Sequence, residues 1–226
     1  MKKRHLIFIF ILLSVSVFAQ RTEVNIKNPK EANSIIFCGD KYTLVSSKSS
    51  EYARLWKWDS YEHDNPFGNN HQKGIRAIAY DKRTQKIATV GLERKIYTYD
   101  LTGNYDNVGK SDSDINTMDF HPTKNLLFTG DELGRLMMWN TTGGKIHSLS
   151  HSDAIRAIDI SNDGKYLAVA TSKGMMYLWN LDTNEKIFSK TGHGKSINSV
   201  QISPNNNYIL TGGEDKKVIL WTMKGT

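Results

Sequence analysis

The feature that most constrains this chain is a unit that recurs about every 40 residues, a period that belongs to arrays of small, repeated supersecondary structures. The fullest copy runs from Gly192 to Thr222 and reads GHGKSINSVQISPNNNYILTGGEDKKVILWT. It opens on Gly-His, carries two stretches of period-two alternation, turns twice on polar residues and closes on Trp221. Counting back, Trp179 lies 42 residues earlier, Trp139 another 40 and Tyr99 another 40. Trp56 rather than Trp58 is the first mark, because it sets Ser46 ten residues ahead of the aromatic, where Thr89, Thr129 and Thr211 stand in copies two, three and five. The copies occupy about 28–57, 70–100, 110–140, 150–180 and 192–222. Each holds about three short alternating strands, and one such sheet is stable only between neighbours. The fold class is therefore all-β, a radial array within one domain.

These residues resemble the WD-repeat family of β-propellers, and the resemblance covers nearly all of the chain after residue 27. It implies five four-stranded blades. In copy five it also implies a structural tetrad, His193, Thr211, Asp215 and Trp221, hydrogen-bonded in series from indole N–H to carboxylate. A buried indole donor needs such a partner, and stranding one member costs roughly 1–3 kcal/mol. The other copies depart from the pattern. Copy two has His71 and Thr89 but Glu93 and Tyr99; copy three has Ser111 and Leu133 at the His and Asp positions. Copy four keeps His151 and Trp179 but has Val169 and Lys173, and copy one has Asn28, Ser46, Ser50 and Trp56. One intact network in five is the expectation.

In the resembled family a repeat runs from the outer strand of one blade through the inner three of the next. Residues 21–28, RTEVNIKN, alternate as a short strand and are expected to pair through Val24 and Ile26 with the Val218–Trp221 strand, closing the ring. Closure would remove exposed sheet edges. Five blades are fewer than the seven most common in the family, so a shortened form or a module of a larger WD-repeat protein is the alternative.

Residues 1–19 differ in kind. Lys2, Lys3 and Arg4 precede an apolar run from Leu6 to Phe18, and Val17 and Ala19 give a small-residue cleavage pattern before Gln20. This reads as a secretory signal peptide, leaving 20–226 as the propeller domain, exported to a periplasmic or extracellular compartment. The run falls short of the roughly 20 residues that span a bilayer, so no permanent membrane span is expected. Without the leader the formal charge falls from +7 to +4. That excess is scattered, with no basic stripe or interleaved aromatics, which disfavours a nucleic-acid partner. Cys38 is the sole cysteine; no internal disulfide is possible, and it reads as strand packing rather than a nucleophile.

No cofactor or metal is expected. His63, Asp64 and His71 lack a converging spacing, and His71 has a structural place. Propellers bind at the mouth of the central channel, where innermost strands and their loops converge. The family's contact positions, carried over, give a ring of Asn33, Arg76, Asn116, Arg156 and Asn198. A neighbouring set contains Asp114 and Ser196, and the turn positions add Glu132 and Glu214. Arg grips carboxylates bidentately and Asn both donates and accepts, so the expected partner is a protein or peptide loop with polar or acidic groups. The expectation is a monomeric, non-catalytic interaction scaffold. A hydrolase or lyase acting on a sugar or lactone is the competing class; its paired acids would come from Asp114, Glu132 and Glu214.

Overall fold

Alternation of apolar and polar residues, punctuated by Gly, Asn and Asp, produces short strands and tight turns along the whole chain. The computed structural model describes residues 31–50, 53–57 and 70–226. Blade 1 comprises β1 (Ser34–Cys38), β2 (Tyr42–Ser46) and β3 (Arg54–Lys57). Blade 2 follows as β4 (Ile75–Asp81), β5 (Lys86–Gly91), β6 (Lys95–Tyr99) and β7 (Tyr105–Lys110). Blade 3 holds β8 (Ile115–Phe120), β9 (Leu126–Asp131), β10 (Arg135–Asn140) and β11 (Lys145–Ser150). Blade 4 holds β12 (Ile155–Ile160), β13 (Tyr166–Thr171), β14 (Met175–Asn180) and β15 (Glu185–Thr191). Blade 5 is β16 (Ile197–Ile202), β17 (Tyr208–Gly213) and β18 (Val218–Thr222).

All pairings are antiparallel between sequential strands. Three blades thus have the expected four strands, and blades 1 and 5 have three among the described residues. The leading segment 21–28, on which ring closure was expected to rest, lies outside them, as do the signal-peptide residues and His63 and Asp64.

The first strand of each blade is innermost, and β1, β4, β8, β12 and β16 follow one another around the centre. Between blades lie four apolar joints. Leu44 and Leu55 of blade 1 meet Ile75, Ile87 and Tyr97 of blade 2. Ala88, Val90 and Ile96 then meet Ile115, Leu127 and Trp139, Phe128 and Leu136 meet Ile155 and Leu167, and Ala168, Met176 and Leu178 meet Ile197, Ile209 and Trp221. Each fully buried aliphatic side chain contributes about 1.5–3 kcal/mol relative to exposure, so the joints, rather than any single sheet, hold the array.

A fifth joint, which closure would require, is not formed by the described residues. On the outer side of blade 1, Ile35 and Phe37 are 71% and 67% exposed; on that of blade 5, Val218 and Leu220 are 71% and 60% exposed. On that same side of blade 1, however, Thr43 and Trp56 are only 8% and 6% exposed.

Turn geometry repeats as well. The tight turn after the second strand of blades 2 to 5 places Arg94, Gly134, Gly174 and Lys216 at φ of 69°, 75°, 78° and 64°. Gly fits this left-handed conformation without strain, whereas Arg94 and Lys216 occupy it at a cost.

Candidate channel-mouth site

A β-bulge explains why the predicted ring residues project as they do. In blades 2 to 5 the pairing of the innermost strand slips between Ile75 and Ala77, Ile115 and Thr117, Ile155 and Ala157, and Ile197 and Ser199. The skipped residues are Arg76, Asn116, Arg156 and Asn198. A bulge leaves one residue out of the ladder and re-aims its side chain, here at the top of four successive innermost strands. Asn33 precedes β1 without a bulge, its N–H donating to the Ser46 carbonyl at 2.8 Å.

The remaining predicted positions converge through one repeated backbone bond. Leu92 N–H donates to the Gly74 carbonyl, Glu132 to Asp114, Ser172 to Ala154 and Glu214 to Ser196, at 2.8–2.9 Å. This ties each loop ahead of the innermost strand to the turn that follows the second strand of the same blade.

Side chains then link blades 2, 3 and 4. Arg76 donates to Asp114 Oδ2 at 2.6 Å, to Asn116 Oδ1 at 3.1 Å and to Glu132 Oε1 at 3.5 Å. Arg94, which the sequence did not single out, donates from Nε to Asp114 Oδ1 at 2.6 Å. Arg156 donates to Glu132 Oε1 at 2.7 Å. Hydrogen bonding from Arg94, reinforced by Arg76, holds the Asp114 carboxyl below the usual carboxylate range. Asn116 Nδ2 donates to the Ile155 carbonyl at 2.9 Å and Asn33 Nδ2 to the Arg76 carbonyl at 3.0 Å. Asn198 accepts from Ser196 Oγ at 3.1 Å, and Glu214 is exposed.

The mouth is therefore a connected network rather than a ring of independent groups. Three guanidinium groups, on Arg76, Arg94 and Arg156, face two carboxylates, on Asp114 and Glu132, which leaves one excess positive charge. Arg76, with its side chain 18% exposed, works mainly as a clamp between blades; Arg156 and Arg94, at 36% and 44%, keep donors turned to solvent. A general acid needs a carboxyl whose pKa is raised, and Asp114 is shifted the other way.

Below the mouth, two carboxylates line adjacent innermost strands. Asp119 accepts from Ile160 N–H at 3.1 Å and Asp159 from Ile202 N–H at 2.6 Å. Burial, with the Asp159 charge adding to it, pushes Asp119 up to about 7, and burial pushes Asp159 up to about 6. Their signal in the sequence was an acid at the same strand position of two consecutive copies.

The expected tetrad forms in blade 5. Trp221 Nε1 donates to Thr211 Oγ1 at 2.9 Å, Thr211 lies 2.8 Å from His193 Nε2, and His193 Nδ1 lies 2.8 Å from Asp215 Oδ1. The imidazole bond is the main reason Asp215 sits at about 2. Among the described residues all four members are seen joined in this blade alone, but shorter links of the same kind form in others. In blade 2, His71 bonds Thr89 at 2.7 Å and Glu93 on its other nitrogen, because Glu reaches from the same turn with one more methylene. In blade 3, Trp139 donates to Thr129 at 2.9 Å. Ser111 in place of the imidazole leaves room for Asp131, which accepts from the N–H groups of Leu133 and Arg135 and from Arg135 Nε at 2.8–3.0 Å. In blade 5 the matching residue is Gly213, where a Cβ would strike His193 Nδ1 at 2.5 Å.

Cys38 is buried, and burial pushes its thiol up to about 12, as strand packing implies. Among the described residues no three His, Cys, Asp or Glu side chains gather as metal ligands, and no helix is long and apolar enough to cross a membrane.

Comparison with known proteins agrees with this architecture. The family model for the WD domain, G-beta repeat matches residues 103–140, 143–180 and 184–222. Each match spans an outer strand and the three inner strands of the next blade. The chain is 27% identical to striatin of Mus musculus over 192 residues, 76% of this chain and 24% of that protein. It is 26% identical to the mitotic checkpoint protein bub3 of Dictyostelium discoideum over 171 residues, 67% of this chain and 52% of the relative. Periodic tryptophan protein 2 homolog of the same organism is 32% identical over 110 residues, 47% of this chain and 12% of that protein. The chain thus spans about half or less of the length of these relatives. With three matched repeats inside a five-blade array of antiparallel sheets, the chain belongs to the WD-repeat family of β-propellers.

Proposed function

We propose that this protein is an exported, non-catalytic scaffold that binds another protein through the channel mouth formed by blades 2 to 4. The observation that carries the reading is the network of bulge-presented Arg76, Asn116 and Arg156 together with Arg94, held by Asp114 and Glu132 with one positive charge in excess. A pre-organised guanidinium with donors turned to solvent recognises a carboxylate at little entropic cost. The partner's contacting loop is therefore acidic, with Arg156 and Arg94 as the receiving groups and Arg76 holding the geometry. Export rests on the basic start, apolar run and small-residue pattern of residues 1–19.

The test is a quantitative pull-down with residues 20–226 from the organism's own exported fraction, comparing the parent chain with Arg76→Ala/Arg156→Ala. Loss of one specific partner in the double variant, with an unchanged urea midpoint, supports the reading; equal recovery places binding on another surface. Mass measurement of the mature protein checks export, since the chain should begin at Gln20.

A further inference from the structure

We propose that a cavity between blades 3 and 4, at the end of the innermost strands far from the channel mouth, binds a small carboxylate carried on a compact apolar body. The cavity encloses about 200 Å3. Blade 3 supplies Leu126, Phe128, Met138 and Leu149 to its wall, and the β14–β15 turn of blade 4 contributes Leu181. At the matching place the two neighbouring joints are filled. Between blades 2 and 3, the β10–β11 turn lies down on β7: Gly144 N–H donates to the Val108 carbonyl at 2.9 Å, and Thr98 Oγ1 donates to the Thr141 carbonyl at 3.1 Å. Between blades 4 and 5, the Phe188 ring occupies the gap so closely that a Cβ on Gly225 would meet it at 3.0 Å. In blade 3 the residue corresponding to Phe188 is His147, opposite Met138 as Phe188 is opposite Leu178. Among the described residues, the β14–β15 turn makes no backbone hydrogen bond to blade 3. A smaller, polar side chain and a turn that stands off thus leave this one joint hollow.

The polar lining decides the charge of the ligand. His121, Lys124, His147 and Asn184 can all donate hydrogen bonds, and no acidic residue lines the cavity. His121 is 2% exposed, and its Nδ1 accepts from the N–H groups of Thr123 and Lys124 at 3.2 and 3.1 Å. That arrangement puts the ring proton on Nε2. Burial lowers the pKa of this imidazole, and the nearby Gly164 carbonyl works against the shift. The carbonyl is not aligned as an acceptor, however, and Nε2 has no hydrogen-bond partner among the described residues. A buried donor in that state carries a cost that an anionic acceptor removes. Lys124 is 50% exposed and meets Asp182 only at 3.7 Å, a loose surface pair from which a ligand carboxylate can take over the ammonium. Scaled from the cavity of about 150 Å3 that holds benzene, the space takes an apolar body of about eight non-hydrogen atoms. An arylalkanoate the size of phenylpropionate meets both requirements, with its ring against Phe128 and Met138 and its carboxylate among the donors. Apolar walls with a few convergent polar groups are the general form of a small-molecule site.

Titration of the chain, carrying isotope-labelled methionine methyls, with phenylpropionate tests this by NMR. The Met138 methyl should shift and saturate, while Met137, on the opposite face of β10 in the joint with blade 2, should stay in place. Phenylpropanol, which keeps the body but not the charge, should bind more weakly, and phenylpropylamine more weakly still. Lys124→Ala should weaken phenylpropionate by about fivefold and leave phenylpropanol unchanged. Leu149→Trp, which fills the cavity from a partly exposed strand, should abolish both; urea midpoints check that it folds, and Leu181→Trp replaces it if it does not. A Met138 signal that does not saturate with phenylpropionate overturns the proposal. So does an amine that binds as tightly as the acid, or a folded, cavity-filled variant that still binds.

Discussion

The indole N–H of Trp179 donates straight to His151 Nε2 at 3.2 Å, bypassing the hydroxyl that mediates the same link in blade 5. Val169 occupies the place of Thr211, and His151 is braced from behind by the Gly134 carbonyl, 3.3 Å from Nδ1. One blade therefore solves with two side chains what another solves with four. The common requirement is a partner for the aromatic donor at the end of the third strand.

That requirement sets the cost of removing the mediating hydroxyl. Thr211→Val should destabilise the protein by about 1–3 kcal/mol, because Trp221 and His193 both lose a buried partner. Thr89→Val in blade 2 should cost a similar amount, since it strands His71, although Glu93 and Tyr99 disguise that network in the sequence. Urea denaturation of both variants checks the pair; a neutral Thr89→Val would mean that blade 2 does not depend on its network.

The channel acids predict a specific pH dependence. Asp119 and Asp159 have folded pKa values raised to about 7 and about 6, above the ordinary range near 4. Their folded forms hold protons that the unfolded chain releases, so their contribution is full below about pH 4 and is lost as pH rises through 6 to 7. Buried His71 and His151, whose pKa values are lowered by burial, act in the opposite direction. Asp119→Asn separates the two effects, because the amide oxygen still accepts from Ile160 N–H while carrying no charge. The variant should gain stability over the parent at pH 8 and lose most of that advantage at pH 5. A pH-independent difference between the two would rule out this account.

Cys38 should be inert in the folded state. Burial that pushes the thiol up to about 12 leaves almost no thiolate at pH 8. Labelling with a thiol reagent should therefore follow the unfolding rate, slow in buffer and complete in urea. Rapid labelling of the native protein would show that blade 1 opens.

Lys216 offers a stabilising change. It is exposed and sits at φ 64°, the turn position that Gly134 and Gly174 fill in blades 3 and 4. Relief of left-handed strain exceeds the added chain entropy of glycine by about 0.5 kcal/mol. Lys216→Gly should raise the unfolding free energy by that amount, read as a higher urea midpoint at unchanged m-value, and thermal unfolding should shift the same way.

The sequence by itself determined the repeat, the strands, the turns and the most complete tetrad, because each depends on residue type at a fixed local spacing. It also named Arg76, Asn116, Arg156 and Asn198 as one repeated position, and a bulge in the innermost strand falls there in blades 2 to 5 though not in blade 1. Tertiary structure decided what spacing cannot encode. Glu93 reaches His71 and Asp131 fills the space left by Ser111 only once the strands are paired and the side chains share one volume. Arg76 became a clamp rather than a free ligand because Asp114 and Glu132 arrive beside it from a neighbouring blade. Those partners come from elements distant in the sequence, and no local stretch of sequence contains the distance between them.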